Sequence, residues 1–305
     1  MPPKSRKVVF ARINRRYPGQ DTLAQRTFAE DMTQFASQFR ARFEEPATAI
    51  AVAKSWFAAD MTVRAGGDYL TGALGFSEEA ERRRFNNQAW SWVLGDTEVS
   101  DTASEDTVVP FAVDLRESHR WVAFATTSRL QPAGFTRALQ EILGMAVAEH
   151  ALLPAEWDVD LVTSRASIQA WLANHPLVHK MRRTVRFSNP GLDLDDDREE
   201  MRALKARRKT EEFAAERGGV LDVQSPRFQS KLDGTETGDL ELHLFARGSQ
   251  GATDSEFKSK EKADQVQIDD FGRDLQAGMG VVLAALQEYV STTSGRTGYV
   301  WGGEG

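Results

Sequence analysis

The chain has 305 residues, 41% of them hydrophobic, and a formal net charge of −7. This length fits two medium domains, and the apolar fraction suffices for packed cores, so we expect a folded protein and not a disordered chain. Cysteine is absent, which excludes disulfides, thiolate metal ligands and cysteine nucleophiles.

The sequence carries no membrane or secretion signal. No uncharged apolar run approaches the roughly 20 residues that a membrane-spanning helix needs. The basic N-terminal segment has no apolar region of the kind found in signal peptides. We therefore expect a cytoplasmic protein.

Residues 1–152 predict an N-terminal α+β domain. Val8–Ile13 is rich in β-branched residues and predicts a strand. A helix is predicted from Asp21 to about Phe43, because five large apolar residues recur there at helical spacing. They are Phe28, Met32, Phe35, Phe39 and Phe43. Residues 49–93 predict antiparallel strands, residues 108–126 a hairpin, and Pro132 the start of another helix.

Residues 153–293 predict a second α+β domain, and the glycine-rich residues 294–305 a disordered tail. The elements expected in it are strands at 157–163, 178–187 and 240–246, with a further strand before Ile268, and helices after Ser164, at 195–216 and at 270–291. Residues 225–239 predict a loop. Gly278 and Gly280 in the last helix could mark close packing within the chain or across a dimer. The fold class is therefore α+β, with antiparallel sheets, packed helices and two domains.

Positive charge is concentrated between His175 and Arg217, in a chain that is acidic as a whole. In the strand predicted at 178–187, side-chain alternation places three cations on one face and apolar residues on the other, with Arg183 as the exception. The three cations are Lys180, Arg182 and Arg186. Clustered lysine and arginine of this kind indicate a phosphate-binding surface.

The helix predicted at 195–216 carries a second basic pattern. Arg198, Arg202, Lys205 and Lys209 are spaced so that they would form one stripe. This stripe could bind phosphates, or it could be a solvated surface paired with its own glutamates. A third basic segment is the N-terminus, where residues 1–20 contain no acid. The candidate nucleic-acid-binding residues are Lys180, Arg182, Arg183, Arg186, Arg202, Lys205, Lys209, Arg12, Arg15 and Arg16.

No metal or cofactor site is predicted. The acidic run Asp193–Glu200 lacks the glycine and glutamate of a calcium loop, since Arg198 and Leu204 occupy those positions, and it fits the start of a helix better. Pro176 disrupts the helical geometry that His175 and His179 would need to bind zinc. Phosphate-loop, dinucleotide-binding and nucleophile-elbow motifs are absent, so the sequence favours a binding protein over an enzyme.

Two alternatives remain open. A metal-dependent nuclease would need clustered carboxylates, and the candidates are Asp158, Asp160, Asp239 and Glu241. A protein-interaction role would use the acidic residues at 193–200 or 254–270 to bind a partner. Binding of duplex DNA through its phosphates, without dependence on sequence, is our first hypothesis.

The order of elements resembles the RexA family of phage exclusion proteins. The resemblance rests on the hairpin and helix of Val108–Leu143 and on the basic strand and turn "HKMRRTVRFSNPG" at His179–Gly191. This chain differs in its longer polar segment around 247–268 and its glycine-rich tail. The resemblance implies a DNA-binding homodimer that senses phage infection and signals to a membrane effector protein, with DNA contacts near His179–Phe187.

Overall fold

The structure is a computed structural model that describes most of the chain. The described residues are 5–16, 27–38, 42–46, 54–78, 83–86, 91–94, 107–117, 119–149, 156–186, 200–201, 203–204, 206, 208–232, 235, 240–248 and 253–294. The strands are β1 Ser5–Arg16, β2 Arg42–Glu45, β3 Lys54–Val63, β4 Tyr69–Glu78, β5 Arg83–Asn86, β6 Ser91–Leu94, β7 Thr107–Asp114, β8 Trp121–Ala125, β9 Glu156–Leu161, β10 Val178–Arg186, β11 Arg208–Ala214, β12 Leu240–Ala246, β13 Ser255–Lys258 and β14 Gln265–Asp269. The helices with described bounds are α1 Phe28–Gln38, α2 Pro132–Glu149, α3 Arg165–Asn174, α4 Pro226–Ser230 and α5 Leu275–Ser294.

The first sheet has eight antiparallel strands in the order β14-β1-β8-β7-β4-β3-β2, with β9 also paired to β1. Strand β1 is an interior strand: β8 pairs with one of its edges, while β14 and β9 share the other edge end to end. Its residues Val8–Ala11 are buried without alternation, because both faces of the strand are covered. Helices α1, α2 and α5 complete this core, and the rings of Phe124 and Phe135 stack with centroids 3.8 Å apart.

The second sheet has four antiparallel strands in the order β11-β10-β12-β13. Its inner face packs against α3 and α4 in a separate core. Strand β12 alternates strictly between buried and half-buried residues, as expected for a sheet with one solvated face. Strands β5 and β6 form a small separate pair.

The chain segments that lead to and from the second sheet are hydrogen-bonded to the backbone of β1. The Phe10 N–H donates to the Asp264 carbonyl at 3.1 Å, and the Val162 N–H donates to the Phe10 carbonyl at 3.3 Å. The chain leaves the first sheet after β9, forms the second sheet and returns at β14. Segments beyond residue 152 therefore supply β9, β14 and α5 to the first sheet and its core as well as the whole second sheet.

The α+β class is confirmed, as are the 108–126 hairpin, the Pro132 helix and the strand at 178–187. The helix at 195–216 is wrong in its second half, because residues 208–214 form β11 and pair with β10. Lysine, arginine and glutamate favour helices locally, but cross-strand pairing outweighs that preference. The first predicted helix ends at Gln38, and Phe43 lies in β2. The predicted loop at 225–239 contains α4, and the final tail lies outside the described residues.

The glycines of α5 have different surroundings. A methyl group at Gly278 would lie 2.7 Å from the ring of Phe271, so this glycine permits close packing within the chain. At Gly280 a methyl group would have no neighbour within 4 Å. None of the helices with described residues is both long enough and apolar enough to cross a membrane.

Glycine-to-alanine substitutions in β4 and in α2 should have opposite effects on stability, because the two glycines have different surroundings. A methyl group at Gly75 would lie 2.4 Å from the Thr107 carbonyl oxygen, so Gly75→Ala should push β4 from β7 and destabilise the protein by roughly 1–3 kcal/mol. Gly144 lies within α2 and a methyl group there meets nothing within 4 Å, so Gly144→Ala should stabilise by about 0.5–1 kcal/mol. Urea unfolding measures both effects, and equal stabilities for the two variants would contradict the close approach.

Candidate nucleic-acid interface

The solvated face of the second sheet carries the basic strand, and we call it the outer face. Alternation in β10 is as predicted: Met181, Arg183 and Val185 are buried, whereas Arg182 is exposed and Lys180 half-buried. Pairing register brings residues from the neighbouring strands to the same face. The outer face consists of Lys180, Arg182, Thr184, Arg208, Thr210, Glu212, Ala214, Glu241, His243, Phe245, Glu256 and Lys258.

Exposed ion pairs connect the charges of the outer face. Glu212 accepts hydrogen bonds from Lys180 Nζ at 2.9 Å and from Arg182 Nη2 at 2.9 Å, and these bonds lower the pKa of its carboxyl. Lys258 lies 3.0 Å from Glu261, which raises the pKa of the lysine. Surface pairs of this kind contribute only about 0–1 kcal/mol. The cations can therefore exchange their carboxylate partners for other anions at little cost.

The inner face holds a different ionic cluster around Glu211. Arg183 Nε and Lys231 Nζ each lie 3.3 Å from Glu211 Oε2, and Lys209 Nζ lies 3.4 Å from Oε1. Burial alone would raise the pKa of Glu211, but the charges of Arg183 and Lys231 outweigh it and lower that pKa. Burial also lowers the pKa of Arg183, against the opposing effect of Glu211. Arg183 and Lys209 thus stabilise the sheet from within, and Arg183 is only 3% exposed.

Arg12 and Arg15 were expected in a basic N-terminal segment that binds nucleic acid, but their side chains are buried. Both residues lie in β1, an interior strand of the first sheet. Arg12 is 7% exposed and its guanidinium lies 5.5 Å from the centre of the Trp121 ring. The Arg15 side chain is 5% exposed and forms ion pairs with Asp31 and Glu117. Arg12 is buried beside Trp121 and Arg15 is buried between two carboxylates, so neither side chain is exposed for contact with a phosphate backbone.

Several predicted site residues lie wholly or partly outside the described residues. Arg202, Lys205 and the acidic run at 193–199 are outside, and the predicted stripe that includes them stays a prediction. Arg186 lies in β10 opposite Arg208, and Arg16 lies at the end of β1, but the side chains of Arg186 and Arg16 are outside. Lys209 is in β11, not in a helix.

The nuclease candidates are not brought together. Asp158 and Asp160 lie in β9 of the first sheet, where Asp160 is opposite Arg12. Glu241 lies in β12 of the second sheet, 3.1 Å from Lys260, and Asp239 is outside the described residues. In the part of the chain that the structure describes, no three histidine, aspartate or glutamate side chains are grouped to hold a metal ion. The geometry therefore gives the nuclease alternative no support.

Two aromatic residues of the outer face are not among the site residues predicted from the sequence. His243 and Phe245 project from β12, with ring centroids 3.9 Å apart. Lys180 Nζ lies 5.3 Å from the centre of the Phe245 ring. The sequence predicts the strand "LELHLFA" at 240–246. Alternation of side chains along this strand is sufficient to place Glu241, His243 and Phe245 on the solvated face.

Fold and site together define an α+β protein with a solvated, mixed-charge sheet face. The family described as Domain of unknown function (DUF4747) has a model that matches residues 97–235, just under half of the chain. This match runs from β7 to α4, so it includes β10 and β11 but not β12 and β13. None of the curated proteins matches the chain.

The neighbours Glu211 and Glu212 face opposite sides of β11 and should respond differently to substitution. Glu211→Gln leaves Arg183 and Lys231 without their shared carboxylate, so we expect a loss of about 1–2 kcal/mol at pH 7, limited by solvent screening. Because the folded-state pKa of Glu211 is lowered, its stabilisation exists above the ordinary value of 4.5 and disappears as the pH falls through the folded-state pKa.

Stability of the wild type and Glu211→Gln, measured by urea unfolding from pH 7 to pH 3, should therefore converge at the acid end. Glu212→Gln is the matched control, since the exposed ion pairs of Glu212 should contribute less to stability than those of Glu211. A constant difference across the pH range would contradict the role of the Glu211 carboxylate.

Proposed function

We propose that the protein binds nucleic acid without dependence on sequence, through phosphate contacts made by the outer face. One observation carries this proposal: Lys180, Arg182 and Lys258 project from adjacent or nearby strands onto one solvated face of a single sheet. The described side chains of the outer face comprise four lysines and arginines and three glutamates, whereas the whole chain carries −7. A locally positive face in an acidic protein directs phosphate binding to that face.

Weak sequence dependence follows from the chemistry of the contacts. Lysine and arginine on a flat sheet reach phosphate oxygens, which carry no sequence information. With about three or four phosphate contacts, the logarithm of the association constant should fall with the logarithm of salt concentration with a slope of about −2 to −4. Arg202 and Lys205, two of the predicted basic residues that lie outside the described part of the chain, would steepen this slope if they also contact phosphates.

Duplex DNA was the partner expected from the sequence, and it remains one form of nucleic acid to be tested. A role in phage exclusion, a homodimer and a membrane effector stay predictions, because the matched family carries no stated function.

Reversing charge on the outer face should abolish most binding. We expect the double variant Arg182→Glu with Lys258→Glu to lose at least about tenfold in affinity, and its salt slope to fall by about 2, since two phosphate contacts are removed. Fluorescence anisotropy with a labelled oligonucleotide over a salt series measures both quantities. The control is Arg273→Glu, at an exposed position before α5. Equal losses in the control would mean that net charge, not the outer face, governs binding.

Removing the charge of Glu212, which competes with phosphates for Lys180 and Arg182, should strengthen nucleic-acid binding. Glu212 holds both Lys180 and Arg182, so Glu212→Gln should release the two cations and strengthen binding by roughly threefold at low salt. The gain should shrink as salt increases, because exposed charges are screened. The same anisotropy assay tests this, and weaker binding by Glu212→Gln would place the interface elsewhere.

A further inference from the structure

We infer that the nucleic acid bound by the outer face is single-stranded, with a base stacked on the Phe245 ring beside His243. This inference rests on the proposed function and names its substrate class. Phe245 is a half-buried aromatic residue in the middle of a solvated sheet, and neither hydrophobic core includes it.

The neighbours of Phe245 on both adjacent strands are charged. Lys180 of β10 and Glu256 of β13 are its register partners, and Lys180 Nζ lies 5.3 Å from the ring centre. His243, two residues earlier on the same face, lies with its ring centroid 3.9 Å from that of Phe245. These partners are surface side chains, and the pair lies outside both hydrophobic cores. A π face next to cations suits a base attached to a phosphate.

The cations flank the aromatic pair on both sides. Lys180 and Arg182 are on β10, and Lys258 is on β13 opposite His243, so β12 and its two rings lie between positive side chains. Neighbouring strands are about 4.8 Å apart, which keeps these cations within reach of the phosphates next to a base stacked on Phe245. Glu256, opposite Phe245 on β13, is paired with His243 Nε2 at 3.2 Å. The cations on β10 and β13 are thus placed to contact the phosphates of a strand that crosses the sheet with its bases facing β12.

Sheet width argues against a duplex as the preferred ligand. Four strands at about 4.8 Å spacing span about 14 Å before side chains are added. The major groove is about 12 Å wide and admits a helix or a two-stranded ribbon, so this face cannot enter it. A duplex also hides the faces of its bases, whereas a single strand offers them for stacking. Against a duplex, Phe245 would contribute nothing.

The test compares variants of the whole protein on three probes: a short thymidine oligonucleotide, its uridine RNA counterpart and a duplex of the same length. Phe245→Leu keeps an apolar side chain but removes the π face. We expect it to lose about tenfold in affinity for single strands, with no change in the salt slope, because stacking is not electrostatic. Phe245→Tyr keeps the ring and should bind like the wild type. Phe57→Leu is the matched control, since Phe57 is an exposed aromatic residue on β3 of the first sheet.

The possible outcomes distinguish the inference about single strands from the proposed function. A loss confined to Phe245→Leu and to single strands supports the inference, and the DNA and RNA probes then identify the preferred sugar. Duplex binding that is as tight as single-strand binding, or a Phe245→Leu variant that binds single strands normally, overturns the inference while the proposed function stands. Absence of binding to all three probes at low salt overturns both. Thermal unfolding of Phe245→Leu verifies its fold, and a loss of single-strand affinity that Phe245→Tyr shares would also count against stacking.

Discussion

The structure depends on the backbone pairing of Phe10, where the chain that leaves β9 for the second sheet and the chain that returns to β14 come together. Phe10 donates to Asp264 and accepts from Val162, and the Asp264 N–H in turn donates to the Val162 carbonyl at 2.9 Å. The Asp264 carboxylate also accepts from the Ser164 N–H at 3.0 Å and the Tyr289 hydroxyl at 3.1 Å. These bonds fix the chain where it leaves β9 and where it returns at β14. The segment that forms the second sheet is therefore held at both of its ends.

The charged residues of β10 and β11 have two roles, because successive side chains of a strand point to opposite faces of the sheet. Arg182 with Glu212 lies on the solvated face, and Arg183 with Glu211 lies on the inner one. The inner pair stabilises the sheet, since removing either partner would leave a poorly solvated charge. The outer pair contributes little to stability and leaves its cation free to exchange partners. Neighbouring residues of the same chemical type thus have separate roles, which depend on the side to which each residue points.

Local patterns predicted the α+β class, the 108–126 hairpin and the alternation in β10, because each depends on residues within one element. Strand β11 could not be predicted in this way: its sequence favours a helix, and its extended form comes from pairing with β10, which is distant along the chain. The burial of Arg15 likewise depends on Asp31 and Glu117, contributed by α1 and the hairpin. Phe245 was different, since alternation along β12 was sufficient to place it outward.

The net charge of −7 and the basic outer face act over different distances. Screening limits electrostatic interactions to about 8 Å at physiological ionic strength, so a phosphate at the outer face is affected mainly by Lys180, Arg182 and their immediate neighbours. At about 0.01 M salt the screening length reaches about 30 Å, and the acidic remainder of the protein then repels the same ligand. An acidic protein can therefore bind a polyanion locally, and under the proposal made above, base stacking on Phe245 would add a second source of affinity to a small number of cations.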